Sequence, residues 1–136
     1  MFKVKIYTIG RLKDAWLAEA LHEYEKRLQG RAEIEWILCK SDPELFEKIS
    51  KEPHWIALDP KGELLDSPSL SLKLLQKSRL TFLIGGSDGI PQPLLAKSAW
   101  RWSLSPLTFT HQMTRLILLE QLYRAFEIDS GSSYHK

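Results

Sequence analysis

Cysteine is almost missing from this chain, with Cys39 the only one in 136 residues. One thiol closes no intrachain disulfide and cannot anchor a zinc cluster, so neither device holds this fold together. Charge of one sign is scarce too. Nineteen Lys and Arg against 17 Asp and Glu leave a formal net charge of +2, which permits an RNA partner without arguing for one. No apolar run approaches the ~20 residues of a membrane span, and the first residues lack a signal-peptide core. Two familiar phosphate loops are absent. Position 87 is Ser, so Gly-x-Gly-x-x-Gly fails from Gly85, and no Gly-Lys-Ser/Thr follows. These absences leave a cytoplasmic protein of one domain, residues 1–136, with no membrane segment and no metal cluster.

The stretch Leu80-Thr81-Phe82-Leu83-Ile84 is nearly all apolar, and three glycines among the next five residues end it. Such a run reads as a strand buried on both faces of a parallel sheet. Ligands of open α/β sheets sit outside the carboxyl ends of strands, where this loop falls. The loop is therefore a candidate for ligand contact, or simply a tight strand-to-helix turn.

Strands and helices alternate along the whole chain. Residues 2–9 place Phe2, Val4 and Ile6 on one face and Lys3, Lys5 and Tyr7 on the other. Asp14 precedes a helix whose Leu17, Leu21, Tyr24 and Leu28 share a stripe. Residues 32–38 are a second strand, with Cys39 packed at its end. Asp42-Pro43 and Ser67-Pro68 read as helix starts, Asp42 as N-cap with proline at N1. Trp55 to Leu58 is a short third strand, followed by Asp59-Pro60-Lys61-Gly62 as a turn. Residues 80–84 are the fourth strand, Pro91 to Ala99 a helix, Trp100 to Leu104 the fifth strand, and 111–128 the longest helix. The alternation predicts an α/β fold, a mostly parallel sheet flanked by helices. The loops after Leu58, at Gly85–Gly89 and at Leu104–Phe109 then share one sheet edge. The last is unusually apolar, so its residues wall a pocket, meet another subunit, or fold back onto the core.

The segments Phe82-Leu83-Ile84-Gly85-Gly86-Ser87-Asp88-Gly89, Trp102-Ser103-Leu104-Ser105, His111-Gln112-Met113-Thr114-Arg115, Glu120-Gln121-Leu122-Tyr123-Arg124-Ala125 and Tyr134-His135-Lys136 follow in order. Together they resemble the RlmH family, small bacterial SPOUT enzymes that methylate N3 of a pseudouridine in 23S ribosomal RNA. The resemblance implies a C-terminal trefoil knot and a homodimer with the last helix at the interface. In that dimer both subunits contribute to each active site. It implies S-adenosyl-L-methionine contacts at Leu58, Gly85, Leu104, Ser105, Pro106, Leu107, Thr108 and Phe109, with 23S rRNA in the ribosome as partner. His135 is then the candidate base for the imide proton, since imidazole exchanges protons near neutrality. Tyr134 would stack on the target base, and Arg124 would bind phosphate or the developing anion. Arg115 is expected to meet RNA or a neighbouring helix. Thr110 stands where the family commonly has proline, which predicts a slightly different start to the last helix. Two other readings stand beside this one. The first is a SPOUT-fold RNA-binding module without catalysis; the second is a flavodoxin-like nucleotide-binding protein, which the sheet pattern alone suggests.

Overall fold

The computed structural model describes residues 1–136 as ten elements in strict alternation. They are β1 (Phe2–Ile9), α1 (Ala15–Arg27), β2 (Ala32–Cys39), α2 (Asp42–Ser50) and β3 (Ile56–Leu64). Then follow α3 (Ser67–Leu74), β4 (Arg79–Ile84), α4 (Gln92–Leu95), β5 (Trp100–Ser103) and α5 (His111–Asp129). All five strands join one sheet in the order β2-β1-β4-β3-β5, and every pairing is parallel. A flavodoxin-like sheet runs 2-1-3-4-5, so the exchange of β3 and β4 removes that reading.

Side-chain alternation explains why the sheet is covered on both faces. Val4 and Ile6 of β1 and Leu80, Phe82 and Ile84 of β4 enter one cluster with α1, α3 and α5. Tyr7 and Leu83 point the other way, into a smaller cluster with Leu45 and Ile49 of α2 and Leu95 of α4. The apolar run of β4 thus serves two cores. The helix stripe of α1 is buried as its spacing predicts, with Leu17 and Leu28 fully covered. Cys39 is buried beside Leu45 and Ile49, a packed residue.

Two boundaries differ from the sequence expectation. Ser41, not Asp42, caps α2, accepting from Glu44 N at 3.3 Å, because its side chain reaches the third amide onward. α3 starts at Ser67 as expected, capped by Asp66, which accepts from Ser69 N at 2.9 Å. The helix expected over 91–99 closes at Leu95. Ala99 N is drawn to Trp55 O at 2.8 Å, which pulls the chain out of helical register and into β5.

The Asp59–Gly62 turn is the largest correction. Its turn chemistry is present, since Lys61 N donates to Asp59 Oδ1 at 3.1 Å. Yet β3 continues to Leu64, and both Leu58 and Glu63 pair with Trp102 of β5. Residues 59–62 are therefore a bulge within one strand. A Cβ on Gly62 would lie 2.7 Å from Arg101 C, so only glycine lets the bulge close against β5.

Candidate active site

Parallel strands put their carboxyl ends on one edge, so the loops after β4 and β5 lie together there, beside the Asp59–Gly62 bulge of β3. They enclose a cavity of about 610 Å³ lined by Leu58, Ile84, Gly85, Gly86, Leu104, Ser105, Leu107, Thr108 and Phe109 among others. This volume is in the range of small-molecule sites, and the mixed apolar and polar wall suits one.

Each loop is shaped by local bonds. After β4, Gly89 N donates to Gly86 O at 3.0 Å and Gly89 has φ +76°, a left-handed turn that glycine takes without strain. Gly85 is glycine for a different reason than ligand approach. A Cβ there would lie 2.9 Å from Ile90 Cγ1 and 3.2 Å from Gly89 C, so the turn's own atoms fill that space. After β5, Ser103 Oγ donates to Ser105 O and Leu107 N donates to Ser105 Oγ, both at 3.0 Å. This serine turn leaves Leu107 70% exposed, so its side chain does not fold back onto the core. Thr110 then caps α5, accepting from Met113 N at 3.2 Å. Threonine therefore starts this 19-residue helix with a side-chain cap.

Of the residues expected at the cofactor, all but Pro106 line this cavity; Pro106 is exposed. The expectation missed Asp59 and Pro60 of the bulge, Ile90, and His111, Gln112 and Thr114 of the first turns of α5. The His111-to-Arg115 block was visible as a motif, but nothing in its spacing told which side would face a cavity. Burial, and then the nearby Arg115 guanidinium, hold the His111 imidazole below its ordinary value.

Arg115 overturns its expected role. It is fully buried and donates through Nη2 to Ile9 O at 2.6 Å and Gly10 O at 3.2 Å. A guanidinium tied to the end of β1 inside the protein cannot meet RNA. Burial lowers its pKa, and it fastens the first turns of α5 to the sheet.

Tyr134, His135 and Arg124 gather elsewhere, around Glu120 of α5. Arg124 Nη2 donates to Glu120 Oε2 at 3.0 Å, and the Tyr134 hydroxyl donates to the same oxygen at 2.8 Å. Tyr134 also packs edge-on to Tyr123, ring centroids 4.8 Å apart, with the Arg124 guanidinium over its ring. His135 Nδ1 lies 3.0 Å from Arg124 Nη1, and the ring borders a second cavity of about 400 Å³. Leu104 is the one residue lining both cavities. The tail is docked rather than frayed, and it does not line the cavity at the strand ends. Glu120, the anchor of this cluster, was missed, although its i,i+4 spacing to Arg124 is the usual helical pairing distance.

Of the cations in and just after β1, Lys3 pairs with Glu33 and Lys5 with Glu52, while Arg11 and Lys13 are exposed. No helix is long and apolar enough to cross a membrane. No group of three or more His, Cys, Asp or Glu side chains is placed to hold a metal ion.

A family described as "Predicted SPOUT methyltransferase" matches residues 2–135. The chain belongs to the SPOUT methyltransferase family. Proteins named ribosomal RNA large subunit methyltransferase H are its relatives. The one from Protochlamydia amoebophila is 46% identical over 141 residues, covering 100% of both chains. That from Prochlorococcus marinus strain NATL2A is 41% identical over 138 residues, covering 97% of this chain and 94% of its own. That from Desulfitobacterium hafniense strain DSM 10664 / DCB-2 is 35% identical over 160 residues, again covering 100% of both. Among solved structures, a probable methylase family protein from Haemophilus influenzae Rd KW20 superposes with a TM-score of 0.61. It shares 10% identity over 98% of this chain and 70% of that one, a likeness of fold. The SPOUT methyltransferase thus carries its large cavity at the strand ends, with a methyl donor required by its family.

Proposed function

We propose that this protein uses S-adenosyl-L-methionine to methylate N3 of a pseudouridine in 23S ribosomal RNA, in the cytoplasm and on the ribosome. The observation that carries the reading is the meeting of the β3 bulge and two loops at one cavity. Leu58, Gly85 and the Leu104–Phe109 loop, far apart in sequence, wall the same space.

The wall fits the methyl donor's chemistry. Leu104, Leu107 and Phe109 offer apolar surface to a purine, and Gly89, with open space where a Cβ would stand, presents bare backbone to polar atoms. Asp59, Ser105, Thr108 and Gln112 add hydrogen-bonding groups around that surface. When bound, S-adenosyl-L-methionine supplies a methyl group already activated on a sulfonium. What the chain adds is alignment and exclusion of water. Tyr134 is the ring proposed to meet a base, and Arg124, bound to Glu120 and lying over that ring, positions it; the exposed Arg11 and Lys13 supply cations for phosphate.

Because the tail cluster and the large cavity are separate within one chain, the proposal includes a homodimer in which the partner's tail completes the site. The trefoil knot belongs to the same proposal. Calorimetric titration with S-adenosyl-L-methionine, NAD and FMN tests the cofactor choice. Saturable heat with S-adenosyl-L-methionine alone is expected. FMN binding, or no heat with a folded dimer, would overturn it.

A further inference from the structure

The contact between Arg124 and His135 decides where the histidine proton resides. A guanidinium carries five N–H donors and no acceptor. In the 3.0 Å contact between Arg124 Nη1 and His135 Nδ1, the imidazole nitrogen must therefore offer its lone pair. In the neutral ring the hydrogen then stands on Nε2. Protonating Nδ1 would set an N–H against an N–H and place two cations side by side.

This arrangement reverses the role that the residue type suggests. A general base needs a free lone pair within reach of the proton it removes. One nitrogen of His135 is engaged by Arg124, and the other already carries hydrogen. Tyr134 is no substitute. Its hydroxyl donates to Glu120 Oε2 at 2.8 Å, and burial, then that hydrogen bond, push its pKa up to about 12. Glu120 is saturated in turn, accepting from Arg124, Tyr134 and Gln121. Asp66, held below its ordinary value by hydrogen bonds to Ser69 and, last, by His135, is the α3 N-cap. Tyr134 and Glu120 are thus engaged with each other, and in this tautomer His135, which borders the second cavity, carries an N–H on Nε2.

We propose that His135 is a hydrogen-bond donor, through Nε2–H, to a carbonyl oxygen of the target imide, and that Arg124 fixes this tautomer. The inference rests on the methyl-transfer reading above. The imide N3–H bond breaks, and its proton goes to water or hydroxide. N3 keeps the electron pair, which forms the N–CH₃ bond, while the methyl carbon's bond to sulfur breaks with its pair on sulfur. Negative charge on the imide is shared by its two flanking oxygens, where a fixed N–H stabilises it.

The first test needs no substrate. Protein labelled with ¹⁵N-histidine, the His135 signal assigned by its loss in His135→Gln, reports each ring nitrogen by NMR. At neutral pH, His135 is expected to show unprotonated Nδ1 and protonated Nε2, and Arg124→Met to populate both tautomers. A proton on Nδ1 in the native protein overturns the proposal. A tautomer unchanged in Arg124→Met removes Arg124's part in it. The second test compares single-turnover methylation of unmodified ribosomes. Glutamine keeps an N–H near the Nε2 position but cannot act as a base. His135→Gln should stay within about tenfold of the native rate, while His135→Ala should fall by the ~10²-fold or more typical of a lost catalytic group. Equal loss in both variants, with S-adenosyl-L-methionine binding intact, would restore the base. A native protein that transfers no methyl group would sink the functional reading instead, and the NMR result would still decide the tautomer.

Discussion

Substituting Gly85 by alanine puts a methyl group where the loop after β4 has no room. The added Cβ would stand 2.9 Å from Ile90 Cγ1, 3.2 Å from Gly89 C and 3.3 Å from Gly89 O. The first contact is with a side chain, at a branch close to the backbone. The other two are with backbone held by the Gly89 N to Gly86 O bond. Relief requires the 86–89 turn to shift, and overpacking of this kind costs about 1–3 kcal/mol. The same turn lines the large cavity through Gly85, Gly86, Ser87 and Gly89, so the shift changes the site as well. Gly85→Ala should lower the free energy of unfolding by that amount, read as a lower urea midpoint at unchanged slope, and weaken S-adenosyl-L-methionine binding in calorimetry. Adding Ile90→Ala removes one of the three contacts and should recover part of the loss, with a coupling on the order of 0.5–1 kcal/mol. A Gly85→Ala protein within about 0.5 kcal/mol of native, with unchanged affinity, would refute the close-packing argument.

Other consequences follow from the same geometry. Tyr134→Ala removes the ring packed on Tyr123 and Arg124, yet Tyr134 lies outside the large cavity. Methylation should fall at least tenfold, about 1.4 kcal/mol of barrier, with cofactor affinity unchanged by calorimetry. Thr110→Ala deletes the α5 cap and should cost about 1 kcal/mol in chemical denaturation. Leu118→Ala, at a fully buried α5 position, should cost about 2–5 kcal/mol by the same assay. His111 is held below the ordinary imidazole value, so the unfolded chain takes up its proton at higher pH than the folded one. Its contribution to stability is whole above about pH 6.5 and is lost as pH falls toward the folded value. His111→Gln should therefore flatten the decline in stability measured between roughly pH 7 and pH 5.

Much of this molecule could be read from local pattern. The two-faced burial of β4 follows from its unbroken apolar run, and the α1 stripe from its 3.6-residue spacing. The shared edge of the loops after β4 and β5 follows from strict alternation, because parallel strands have no other place for those ends. What escaped reading depends on long-range partners. Nothing near Asp59–Gly62 reveals that β5 will re-pair with Glu63 and turn a loop into a bulge. Nothing near Arg115 shows that the carbonyls of Ile9 and Gly10 will take its charge more than 100 positions away. Gly85 was legible as a special position, but its cause, the approach of Ile90 and Gly89, appears only once the turn is closed. The tail was the hardest case. Tyr134 and His135 suggest chemistry by type, whereas the partners that hold them, Glu120 and Arg124, lie 14 and 11 positions away on α5.

The central claim is that this protein places a methyl group on N3 of a pseudouridine in 23S ribosomal RNA. The most direct measurement is mass spectrometry of that RNA after ribosomes lacking the modification are incubated with the pure protein and S-adenosyl-L-methionine. The account predicts one pseudouridine made heavier by a single methyl group on N3, formed at least tenfold more slowly by Tyr134→Ala at equal protein concentration. A folded protein that binds S-adenosyl-L-methionine yet leaves the ribosomal RNA unmodified, or methylates a different atom, would contradict it.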